Sequence, residues 1–216
     1  MTESSDDDDP ESSVAGIGES FADYIEEVGS YLRVTKAPMI LRRYFAMNAF
    51  DGAMTSLGVV IGAYISRIDD PRTVIGVILV SGIAMAVSGF SGTYMTESAE
   101  RVKSLNELED AMLTNLEDTI YGKASRFVSI FAALVDGSAP FLASLPSVIP
   151  FYLATVGLLP MGLAFTVSIA AALTILFLLG VFLGRLSESN IIYSGVKMVI
   201  AGVAVALIAL LLNGHG

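Results

Sequence analysis

The stretch NAFDGAMTSLGVVIGAY, Asn48 to Tyr64, sets one carboxylate, Asp51, near the start of an apolar run that extends over Tyr44 to Ser66. A bilayer crossing needs about 20 apolar residues to span about 30 Å of hydrocarbon, and this run is long enough. Reading outward, a short polar hinge, RIDDPR, separates it from a second run at 73–96. From Phe127 to Gly184 there are 58 residues with no Lys or Arg and one acid, Asp136, enough for spans at 127–151 and 160–184. After RLSES a last run covers 190–213. The expected fold is an all-α membrane protein with five transmembrane helices.

Composition supports this class. Of 216 residues 54% are hydrophobic and 16% charged, and the mean hydropathy of +0.69 exceeds what a soluble domain needs. There is no cysteine, and the single histidine, His215, is the penultimate residue, so metal chemistry would have to use oxygen and methionine sulfur. Residues 1–20 read as a disordered acidic tail and 21–43 as an interfacial amphipathic helix ending in an Arg pair. Ten of the 12 Lys and Arg fall on one side of the five spans and only Arg67 and Arg72 on the other. The positive-inside rule then places the N-terminus in the cytoplasm and the C-terminus outside.

Several residues point to ion chemistry. A charge at membrane depth costs about 2.5–3.5 kcal/mol, so Asp51 needs a proton, a partner or a wet cavity. Met54, Thr55 and Gly58 follow it at i+3, i+4 and i+7 on one helical face. On the second span Gly82, Met85, Gly89, Gly92, Thr93, Thr96 and Glu100 form a stripe suited to close helix packing. Glu97 and Glu100 lie at its cytoplasmic mouth, and Glu97 is equally suited to an i, i+4 pair with Arg101. Residues 104–121 read as a cytoplasmic amphipathic helix with Leu105, Leu108, Met112, Leu116 and Ile120 on one face. Glu107, Asp110, Glu117 and Asp118 occupy the other, either as a solvated face or as a weak collection site for divalent cations. Asp136 lies near the midplane of the third span, followed by Gly137, Pro140, Pro146 and Pro150. Such a segment reads as a broken helix lining a cavity, with Asp136 as proton carrier or second cation ligand.

These residues resemble the vacuolar iron transporter family, the CCC-type iron and manganese transporters, in a short-linker prokaryotic form. The markers are DGAMTSLGVVIGAYIS at Asp51–Ser66, SGFSGTYMTESAE at Ser88–Glu100 and LPSVIPFYL at Leu145–Leu153. Members commonly read S-M-A-x-G-E-Y-x-S-x-x-S-E at the second marker; here the motif Met falls on Gly89 and the motif Glu on Thr93. The resemblance implies a plasma-membrane homodimer whose first two spans line a path for Fe2+ or Mn2+, exported in exchange for protons. Asp51 would be the membrane-embedded acidic ligand, with Met85 and Met54 supplying thioethers. The helix around Glu107, Asp110 and Glu117 would be the acidic metal-gathering platform. By depth along the second span, Thr93 lies near the level of Asp51, while Glu97 and Glu100 sit at the cytoplasmic mouth.

No resident cofactor, nucleic-acid partner or enzymatic activity is expected, since no Ser/His or His/Glu constellation is present. No GxxxxGK[ST] motif occurs, so an ion gradient would drive the cycle. The competing expectation is a non-transporting scaffold or metal-responsive regulator acting through its acidic cytoplasmic helix.

Overall fold

The computed structural model describes residues 29–31 and 37–213; among these the regular structure is helical throughout. Five helices follow in order: α1 Ala37–Ile65, α2 Pro71–Met112, α3 Ile120–Thr155, α4 Met161–Leu186 and α5 Ile191–Asn213. Each of the five is long and apolar enough to cross a membrane, so the chain is a multi-pass membrane protein. The acidic tail and most of the interfacial helix expected over 21–43 lie outside the described residues. Residues 37–43 continue directly into the first span as the opening turns of α1.

The helix boundaries follow from capping chemistry. Asp70 accepts from the backbone N–H groups of Arg72 (3.2 Å) and Thr73 (3.1 Å), and Pro71 occupies the first helical position, where its missing N–H costs nothing. Thr119 caps α3 by accepting from Gly122 N–H at 3.3 Å. α2 stops at Leu113, which takes a left-handed conformation (φ 51°) and donates its backbone N–H to Glu109.

Two sequence expectations are corrected here. Residues 104–121 do not form a helix of their own: α2 runs unbroken through 42 residues to Met112, and the connection to α3 occupies 113–119. Nothing in residues 97–112 breaks a helix, and Glu97–Arg101 and Lys103–Glu107 pair at i, i+4 along it. At 1.5 Å per residue α2 is about 63 Å long, roughly twice the hydrocarbon thickness. The third span is likewise continuous, with all three prolines inside α3. Serine hydroxyls supply donors around those turns: Ser144 to Phe141 O (2.8 Å) and Ser168 of α4 to Ser147 O (2.7 Å). These bonds go to neighbouring carbonyls; the ones the prolines free are those of Asp136, Leu142 and Pro146, and the helix continues past all three.

α3 is the central element, packed against α1, α2 and α4, while α5 covers α4 and part of α1. One core cluster joins α1 (Ala53, Leu57), α3 (Ala139, Ala143) and α4 (Ala172, Leu176). A second, at the end holding the α1–α2 connection, centres on Phe151 and Phe165, whose rings meet edge to face with centroids 5.1 Å apart. The opposite end gathers the start of α1, the end of α2 and the α4–α5 turn.

Candidate functional site

The helices approach closely around two Asp-Gly pairs. A Cβ on Gly52 would run into the backbone of Pro140, and one on Gly137 would lie 2.7 Å from Ala86 O and 3.0 Å from Phe90 N. Gly89 leaves room for the Asp136 carboxyl, 3.4 Å from where its Cβ would be. Three glycines on three helices therefore let α1 and α2 close onto α3 around one carboxylate.

Asp136 is only 3% exposed. Asn48 Nδ2 of α1 donates to its Oδ1, and Thr93 Oγ1 of α2 donates to Oδ2 at 2.5 Å. Both partners are side chains of other helices, not backbone groups of α3. Toward the end of the bundle where α1 starts, the next layer is Glu97, 4% exposed, which accepts from Tyr44 OH (2.8 Å) and Arg101 Nε (3.0 Å). Gly89, Thr93, Glu97 and Arg101 recur every four residues and form the edge of α2 that faces the seam. The tyrosine and asparagine of α1, four residues apart, form the matching edge.

Asp51 behaves differently. It is exposed on the single chain, near the middle of α1, about 21 Å along a helix of about 43 Å. Gly92, Thr96 and Glu100 of α2 are exposed as well, and a Cβ on Gly58, Gly62 or Gly92 would meet open space. The stripe expected on α2 is therefore split: Gly82, Gly89 and Thr93 pack against α3, whereas Gly92, Thr96 and Glu100 face outward.

The remaining candidates do not converge on this point. Met54 packs against the core cluster instead of sharing Asp51's open face. Met85, half-buried, lies eight residues from Thr93, about 12 Å along α2. Glu107 and Asp110 are exposed on the α2 extension, where Glu107 pairs with Lys103 (3.8 Å), and Glu117 pairs with Arg126 across the following turn (3.8 Å). Among the described residues no three acids, histidines or cysteines gather as a metal site. The donor set at the seam is thus oxygen only: Asn48, Asp51, Thr93 and Asp136. Sequence reasoning passed over Asn48 and Tyr44; the signal available was a polar pair at i, i+4 that leads into Asp51 at i+3.

Over 175 residues, 79% of this chain and 87% of the relative, the sequence is 34% identical to uncharacterized protein MJ0645 of Methanocaldococcus jannaschii. The chain belongs to that protein's family. The match covers most of both chains. No family model matches the chain. No solved structure matches it either.

Proposed function

We propose that the protein is a secondary transporter that moves a divalent metal ion, Fe2+ or Mn2+, out of the cytoplasm in exchange for protons, as the resemblance to the vacuolar iron transporter family implies. The observation that carries this reading is the pair of carboxylates at membrane depth, Asp51 exposed and Asp136 buried between Asn48 and Thr93. Each costs insertion energy that a cation or proton pathway offsets. Hard oxygen donors without a nearby thioether suit Mn2+ at least as well as Fe2+.

In this proposal the ion enters past Glu97, which is tied to Tyr44 and Arg101 when the path is shut. It pauses between Asp51 and Asp136, and after its release the two acids take up protons. An exposed carboxylate facing lipid is unfavourable. A second copy packed on the open α1–α2 face covers it and brings a second Asp51 to the site, which favours a homodimer. The bundle end carrying Arg42, Arg43, Arg101 and Lys103 is the cytoplasmic one.

The test is metal-dependent quenching of a dye trapped in proteoliposomes, with Mn2+ or Fe2+ outside and an imposed pH gradient. Uptake that follows the gradient, and is lost in Asp51→Ala and Asp136→Asn, is the expected result. Uptake that survives both substitutions overturns the assignment. Absence of uptake from folded, dimeric wild-type protein favours a scaffold or regulator acting through the exposed acids of the α2 extension.

A further inference from the structure

A cavity of about 410 Å3 lies on the other side of α1, between the start of α1, the end of α4 and the start of α5. Its floor exists because Gly180 and Gly184 let α4 and α5 touch: a Cβ on Gly180 would lie 2.5 Å from Ser194 O, and one on Gly184 would lie 2.9 Å from the Ser194 side chain. The walls are mostly aliphatic and thioether, including Met47, Leu183 and Met198. Two cations line it, Arg43 of α1 and Lys197 of α5. Neither pairs with a carboxylate among the described residues. Arg43 lies against the Tyr44 ring (5.7 Å) and Lys197 over the Tyr193 ring (4.5 Å). A run of hydroxyls completes the rim, Ser187 to Ser189 at 3.0 Å and Ser189 to Ser194 at 3.1 Å. Glu188, the one acid of that turn, is exposed and does not line the cavity.

We propose that this cavity binds an anionic phospholipid, with its phosphate between Arg43 and Lys197 and the serine hydroxyls, and part of an acyl chain along the apolar wall. The cations lie in the second turns of two membrane-spanning helices, near the level where a bilayer presents its phosphates, and basic pockets between helices at this level select acidic headgroups. The lysine stem reaches that level while its carbons stay in apolar surroundings. The apolar wall argues against a freely soluble anion, which would have to lose water against surface that gives nothing back. The cavity lies away from the Asp51–Asp136 seam, so the proposal stands independently of the transport reading.

The experiment is native mass spectrometry of delipidated, detergent-purified protein titrated with phosphatidylglycerol or with phosphatidylcholine of the same chains. Preferential binding of phosphatidylglycerol is expected. In Arg43→Gln/Lys197→Gln that binding should weaken about 30-fold, from about fivefold for each cation near a membrane surface. Arg43→Lys/Lys197→Arg should keep it within about threefold, since the charge is retained. If the double neutralisation does not fold, each single Gln variant should lose about fivefold. Equal binding of the two lipids, no loss in the neutralised variants, or the same loss in Lys103→Gln/Lys123→Gln would overturn the proposal. So would displacement of the lipid by millimolar inorganic phosphate, which would mark a soluble-anion site.

Discussion

Replacing Gly137 by alanine tests the packing on which the seam depends. The new Cβ would lie 2.7 Å from Ala86 O, 2.9 Å from Phe90 Cβ and 3.0 Å from Phe90 N. Two of these three are backbone atoms of α2, so no side-chain rotation relieves the overlap. Restoring ordinary contact near 3.4 Å requires α2 and α3 to separate by about 0.5 Å or more. Overpacking of this kind costs about 1–3 kcal/mol. For a chain of this length, at about 2–4 °C per kcal/mol, the expected loss is about 2–12 °C in apparent melting temperature. The same separation stretches the Thr93–Asp136 hydrogen bond, so uptake should fall with stability. The assay is thermal unfolding in detergent followed by circular dichroism, with Gly162→Ala on α4 alongside, because a Cβ there meets open space within the chain and lies off the α1–α2 face. Gly137→Ala protein that melts with the wild type, or Gly162→Ala protein that loses as much thermal stability, would refute the reasoning.

Three further outcomes are expected. Thr93→Glu sets a second acid against buried Asp136, so the metal-free protein should melt several degrees lower, and millimolar Mn2+ should recover most of that loss; indifference to Mn2+ would count against a cation site at this level. Arg101→Gln removes the charge partner of Glu97, which is 4% exposed, and should cost about 1–3 kcal/mol in chemical denaturation, largely recovered by the double variant Glu97→Gln/Arg101→Gln. Asp70 is held below the usual carboxylate range chiefly by the Thr73 hydroxyl and then the Arg72 backbone N–H. Its cap therefore contributes stability above the unfolded-state pKa and loses it as pH falls through the lowered folded value. Asp70→Asn should show a smaller loss of melting temperature on acidification below about pH 4 than the wild type.

Five helices were legible because each apolar run exceeds bilayer length and is bounded by charged or capping residues such as Asp70 and Thr119. The continuity of α2 was not, because the drop in hydropathy after Thr96 marks the membrane edge rather than the helix end. The unbroken α3 was hidden for a related reason: proline spacing shows where N–H donors are missing, and cannot show that packing against three neighbouring helices keeps the segment helical. Asp51 and Asp136 stood out as charges in apolar surroundings. That Asp136 is buried and Asp51 open depends on which side of each helix meets α3, and small residues on both faces of α1 and α2 leave that phase undetermined. Met54 shows the limit of spacing alone, since i+3 put it beside Asp51 and packing turned it to the core.

The uninterrupted α2 makes the protein a lever. Thr93 stands 19 residues before Met112, so the end of the helix lies about 29 Å from the buried carboxylate contact, with Leu105 buried between them. A tilt of about 5° about that contact swings the tip by about 2.5 Å, comparable to the length of a hydrogen bond. With no hinge between the two points, a load on the acidic tip is delivered as torque on the Thr93–Asp136 and Glu97–Tyr44 contacts.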